Sequence, residues 1–157
     1  MKIAVINGPN LNLLGIREPA LYGTETLADI ETHLTGVARE LGVELSFSQH
    51  NGEGDIVDKV QSLRGKVDGA LVNAGAYSHT SLAIRDALAA VKIPFVEVHL
   101  TNIYAREPER RRSALADAAV AVVCGLGAYG YEAALRGLVK MQSGTIASAQ
   151  RRSGVNV

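Results

Sequence analysis

Asn10, Arg17 and Tyr22 fall within one stretch of chain that follows an apolar run and loses all periodicity for about sixteen residues, longer than most connections in compact domains. Loops of that length usually carry function. Gly8, Gly15 and Gly23 let this one bend, and between them stand two amides (Asn10, Asn12), a guanidinium (Arg17) and a phenol (Tyr22). An arginine beside a tyrosine favours the phenolate, which can serve as a base near neutral pH. Two further polar clusters follow short apolar runs. One is Asn73-Ala74-Gly75-Ala76-Tyr77-Ser78-His79-Thr80-Ser81; the other is Glu97-Val98-His99-Leu100-Thr101-Asn102, trailed by Arg106, Arg110, Arg111 and Arg112. Glu97 and His99 stand two apart, so on a strand they share a face, and a carboxylate in reach orients an imidazole and keeps it protonated.

These groups suit one class of chemistry. A phenolate abstracts a proton α to a carbonyl, and amides, directly or through a held water, stabilise the enolate. A protonated imidazole then gives its proton to a departing hydroxyl, while arginines hold a carboxylate or hydroxyl groups. That is a β-elimination of water from a small polyhydroxylated keto acid. Plainer roles compete at several positions. His79 sits where a helix should begin, and one of the hydroxyls of Ser78, Thr80 and Ser81 is expected to cap it. The run Arg110-Arg111-Arg112 reads as a solvated face with one anion-contacting arginine in it. Cys124 reads as a small buried hydrophobe.

The elements that must position these groups alternate between strand and helix. Strands are expected at 3–6, 43–47, 69–72, 94–98 and 120–123, and helices at 24–41, 54–64, 81–91, 113–118 and 130–148. Five apolar strands separated by helices imply a parallel sheet covered on both faces, and right-handed crossovers make it doubly wound. The flavodoxin-like order 2-1-3-4-5 is the leading expectation, with its ligand crevice at the carboxyl ends of the strands beside the switch point. Strands 1, 3 and 4 are then adjacent, and the three polar clusters fall on one rim. Strand 2 ends in Gln49-His50-Asn51-Gly52-Glu53, polar but less distinctive.

Composition narrows the class. The chain has 157 residues with 16 basic and 16 acidic side chains, enough for one α/β domain and without the basic balance of a nucleic-acid binder. A single domain over 1–150 with a frayed tail at 151–157 is expected. A lone cysteine forbids an intrachain disulfide, and no signal segment or membrane-length apolar run is evident, so a cytoplasmic protein is expected. Gly125-Leu126-Gly127-Ala128-Tyr129-Gly130 matches G-x-G-x-x-G, but no acidic residue follows Glu132, as a dinucleotide site would need. With no phosphate-loop lysine, metal-ligand spacing or nucleophile elbow, a cofactor-free and metal-free reaction is expected.

The segments Asn7-Gly8-Pro9-Asn10-Leu11-Asn12, Arg17-Glu18-Pro19 with Tyr22-Gly23, Asn73 to Ser81, and Glu97 to Asn102 with Ala105-Arg106-Glu107 strongly resemble type II 3-dehydroquinate dehydratase, in order from about Lys2 to about Val139. The resemblance implies a flavodoxin-like fold and conversion of 3-dehydroquinate to 3-dehydroshikimate with no Schiff base, cofactor or metal. It makes Tyr22 the base, with Arg17 favouring its phenolate on a mobile lid. Asn10 organises the water that stabilises the enolate, and His99 is the general acid, held by Asn73. Glu97 and His79 support them. Leu100 and Thr101 offer backbone amides, and Thr101 its hydroxyl, to the substrate carboxylate, and Arg110 reaches a ring hydroxyl. Asp86 comes from a neighbouring subunit of a homo-oligomer, trimers assembled into a dodecamer. The chain departs from the pattern at Thr101, where serine is commoner, at Tyr104 and Glu109, and in Gln49 to Gly54, which lacks the usual histidine before Glu53. The altered Pro108-Glu109-Arg110 segment raises one alternative, a non-catalytic paralogue that binds a small carboxylate; a nucleotide binder of the same fold is a weaker one.

Overall fold

The computed structural model describes residues 1–16 and 24–144. Arg17, Tyr22, the expected tail at 151–157 and the last residues of the expected final helix lie outside the described residues. Five strands, β1 (Lys2–Asn7), β2 (Glu44–Gln49), β3 (Gly69–Asn73), β4 (Phe95–His99) and β5 (Ala121–Cys124), form one sheet in the order β2-β1-β3-β4-β5. Every pairing is parallel. The expected flavodoxin-like doubly wound architecture is the observed one. Among the described residues four α-helices cover it: α1 (Leu27–Leu41), α2 (Glu53–Ser62), α3 (Leu82–Val91) and α4 (Tyr129–Gln142).

The side chains of each inner strand alternate between two cores. Ile3, Val5, Leu71, Val96 and Val98 pack with Leu34 and Val37 of α1 and Leu135 and Leu138 of α4. Ala4, Ile6, Ala70, Val72 and Phe95 pack with Ile56 and Val60 of α2 and Ile84 and Leu88 of α3. Each large aliphatic side chain buried this way contributes about 1.5–3 kcal/mol. The central strands β1, β3 and β4 are therefore apolar on both faces, as a sheet sandwiched by helices requires.

Two of the helices, α1 and α3, start at a side-chain cap. Thr26 caps α1 in a reciprocal box with Asp29: the Asp29 amide donates to Thr26 Oγ1 at 3.1 Å and the Thr26 amide to Asp29 Oδ2 at 2.9 Å. The Thr26 hydroxyl, and then its backbone N–H, hold the Asp29 carboxyl below its usual range. Ser81 caps α3 by accepting from the Ile84 amide at 2.9 Å, as one of the three expected hydroxyls should.

Two expectations are corrected. Residues 113–118 form a turn, not a helix. Ser113 Oγ accepts from the amides of Leu115 and Ala116, and the Ala114 amide donates across to the Ser78 carbonyl, which diverts the chain from a helical ladder. Cys124 is half-buried rather than buried, because β5 is an edge strand.

Candidate active site

The carboxyl ends of β1, β3 and β4 open into a cleft lined by Asn10, Asn73, His79, His99, Leu100, Thr101 and Arg110, all seven of them expected site residues. Its floor is set by register. Asn7 pairs with Asn73 at the ends of β1 and β3, and the next amide, of Gly8, donates to the Asn73 carbonyl at 2.7 Å. At that crossing only glycine fits, since a Cβ on Gly8 would lie 2.5 Å from the Ala74 carbonyl carbon and oxygen.

Asn10 sits in the left-handed region with φ 66°, a conformation its short amide tolerates. The end of β2 pins it there. The Asn10 amide donates to Asn51 Oδ1 at 3.0 Å, and Gln49 Nε2 donates to the Gly8 carbonyl at 3.1 Å and to Asn51 Oδ1 at 3.0 Å. The polar end of strand 2 is thus part of the site's support. Beyond Asn10 the chain passes Leu11 and Leu14 on the cleft wall to Gly15, where a Cβ would lie 2.9 Å from the Thr24 carbonyl oxygen. The two flanks of segment 17–23 therefore meet beside the cleft.

His99 is the last residue of β4 and only 5% exposed; Glu97, on the same strand face, is fully buried. His99 Nε2 lies 2.8 Å from Glu97 Oε1. On the other side of that oxygen, Ser113 Oγ donates to Glu97 Oε1 at 2.6 Å. The His79 ring stacks on His99 with centroids 6.0 Å apart and planes 17° from parallel. His79 Nδ1 donates to the Arg112 carbonyl at 2.8 Å.

Among the described residues Asn73 makes no hydrogen bond to His99; the ring pairs through Nε2 with Glu97 Oε1. Asn73 Nδ2 instead donates to the Tyr131 hydroxyl at 2.9 Å, and its Oδ1 accepts from the Gly75 amide at 3.2 Å. The Tyr131 hydroxyl in turn donates to Asn7 Oδ1 at 2.6 Å. All three side chains are buried. Burial pushes the Tyr131 phenol up, and the Asn73 amide offsets part of that, so the group stays neutral as a donor.

A model of the family described as Dehydroquinase class II matches residues 1–139 of this chain. The chain belongs to the class II dehydroquinases. It is 65% identical over 140 residues to a 3-dehydroquinate dehydratase of Gemmatimonas aurantiaca, covering 89% of this chain and 92% of that one. It is 57% identical to a catabolic 3-dehydroquinase of Verticillium alfalfae, covering 85% and 89%. The crystal structure of the type II dehydroquinase from Butyrivibrio crossotus superposes with a TM-score of 0.86 at 42% identity, covering 88% of this chain and 97% of that one.

In this class II dehydroquinase the arginine-rich segment is built differently from a solvated helix face. Two 3-10 turns, Ile103–Ala105 and Pro108–Arg110, fold it over the cleft. Arg106 lines the cleft beside Arg110, and its Nη1 donates to Thr101 Oγ1 at 3.4 Å. Both guanidiniums bond Glu107. The backbone N–H of Glu107 itself, then the Arg110 side chain, hold that carboxyl below its usual range. Asp86 is exposed on α3 and does not line this cleft. Tyr131 and Ser113 are residues that sequence reasoning gave no role in the site, and Arg106 had only a shared one among the rim arginines. Tyr131 had one signal: it heads the apolar stripe Tyr131, Ala134, Leu135, Leu138, and a phenol buried in such a stripe needs a polar partner.

Proposed function

We propose that this chain removes water from 3-dehydroquinate to give 3-dehydroshikimate through an enolate, as a cofactor-independent hydro-lyase. The observation that carries the reading is His99 seated on the buried Glu97 at the rim of a cleft that also holds Asn10, Thr101 and two arginines, in a chain of this family. Tyr22 as phenolate takes the proton α to the ketone, its ionised form favoured by Arg17. Asn10 holds the water that stabilises the enolate oxygen. Collapse of the enolate forms the carbon–carbon double bond and breaks the carbon–oxygen bond, and His99 protonates the departing hydroxyl. Leu100 and Thr101 bind the carboxylate, Arg110 a ring hydroxyl, and Asn73 and His79 complete the pocket.

The same proposal extends to assembly and place. Residues 1–150 act as one catalytic domain in a cytoplasmic homo-oligomer, trimers assembled into a dodecamer, where the exposed Asp86 serves a neighbour's cleft. Among the described residues no helix is long and apolar enough to cross a membrane.

The test is ultraviolet absorbance after mixing protein with 3-dehydroquinate, where the conjugated product absorbs. Absorbance should rise and survive both chelator and borohydride with substrate. Tyr22→Phe and His99→Ala should each lower turnover by about a hundredfold or more. Tight binding of dehydroquinate without turnover would instead mean a binding paralogue.

A further inference from the structure

We propose that Ser113 is a positioning residue for the acid: its hydroxyl fixes Glu97 as the acceptor on which the His99 ring is held with a proton on Nε2. The inference rests on the role proposed for His99.

The argument is a count of donors and acceptors. A serine hydroxyl has one proton and two lone pairs. The amides of Leu115 and Ala116 donate to Ser113 Oγ at 3.0 and 3.2 Å and occupy the lone pairs. The only proton left is directed at Glu97 Oε1, 2.6 Å away. Oε1 therefore accepts from serine, and it meets His99 Nε2 as an acceptor too, at 2.8 Å. With Glu97 ionised both of its oxygens can only accept, so Nε2 carries the hydrogen, and the ring's other nitrogen, Nδ1, is the one that exchanges a proton with substrate.

The same turn grips both imidazoles. The Arg112 carbonyl can only accept, so His79 Nδ1 carries a hydrogen in every charge state. Ser113 and Arg112 are consecutive, and they set the two stacked rings from one short segment.

Ser113 has leverage because Glu97 has little else. The carboxyl is fully buried, and among the described residues its Oε2 has no hydrogen-bond partner. Its strand neighbours in register are Val72 and Val122, both apolar. Among the described residues, the titratable groups facing the pair are His79 stacked on His99, and Arg106 and Arg110 across the cleft. Removing the serine proton leaves one donor on a buried carboxylate and makes it a stronger base toward the imidazole.

The test is nitrogen-15 NMR of histidine-labelled protein, whose four histidines give few ring signals. The His99 signals are assigned by their loss in His99→Gln. In the native chain the neutral His99 ring should carry its proton on Nε2. In Ser113→Ala its titration midpoint should rise by about half a pH unit or more, since one hydrogen bond to a charged group is lost. The pH–rate profile should move up by the same amount. Ser113→Thr should restore both. A proton on Nδ1 of the neutral native ring would overturn the proposal without needing any variant. So would an Ala variant whose activity falls while midpoint and profile stay in place, which is the mark of a merely structural serine. Full turnover in His99→Ala would sink the acid role and leave the NMR result standing on its own.

Discussion

The hydroxyl of Tyr131 donates to Oδ1 of Asn7 at 2.6 Å, joining α4 to the end of β1 across 124 residues of sequence. It also receives Asn73 Nδ2, so one phenol orients two amides at the ends of adjacent strands. Asn73 thereby presents its Oδ1 to the Gly75 amide, which starts the 3-10 turn Gly75–His79. A core residue of α4 sets the geometry of a cleft it does not line.

Tyr131→Phe keeps the ring and deletes that hydroxyl. Asn7 Oδ1 and Asn73 Nδ2 would be left buried without it, and an unsatisfied buried group costs about 1–3 kcal/mol. Urea unfolding should show a lower midpoint with unchanged slope, and turnover should fall with it as Asn73 loses its orientation. Equal midpoints for the two proteins would mean that water replaces the hydroxyl.

The same phenol gives an alkaline prediction. Burial raises its ionisation above the ordinary value of 10.0. Below that pH the group is neutral in both native and unfolded chains. Above it the unfolded chain ionises first, so native stability falls as pH rises from about 10 upward. Tyr131→Phe should flatten that decline in a pH series of unfolding midpoints; an identical slope in the variant would remove Tyr131 from the account.

Gly8→Ala tests the crossing of the first and third strand loops. The added methyl would meet the Ala74 carbonyl at 2.5 Å, and backbone rather than side chain must move. Overpacking of this kind costs about 1–3 kcal/mol. Thermal unfolding and turnover should both drop, because the displaced segment carries Asn10 on one side and Asn73 on the other.

Asn51→Ala probes the clamp on Asn10. It removes the acceptor of the Asn10 amide and of Gln49 Nε2 together. A neutral hydrogen bond of ordinary strength corresponds to roughly a two- to tenfold loss of turnover when the loop it holds carries a reacting group. Steady-state kinetics unchanged from the native chain would show that Asn10 is held without β2.

Thr26→Ala removes half of a capping box. The expected loss is about 1 kcal/mol of stability. Asp29 should also titrate closer to its usual range once the hydroxyl is gone, a change that NMR of the carboxyl carbon reads directly.

The sequence by itself determined the layers and the rim. Apolar strands of four to six residues alternating with amphipathic helices leave a parallel sheet covered on both faces as the natural solution, and it is the one observed. With strands 1, 3 and 4 adjacent, Asn10, Asn73, His79, His99, Leu100, Thr101 and Arg110 had to converge, because residues just past parallel strands share one edge. Glu97 beside His99 was legible too, since the two-residue period of a strand is local.

What only the tertiary structure decided were partners far apart in the chain. Tyr131 meets Asn7 and Asn73, Ser113 reaches Glu97, and Asn51 holds Asn10, with separations of 124, 58, 16 and 41 residues. No periodicity encodes such pairs. A hydrogen bond is fixed by distances of tenths of an ångström, and those follow from how helices and turns settle on the sheet. The turn at 113–118 shows the same limit: its residues carry ordinary helix propensity, and the contacts of Ser113 and Ser78 override it.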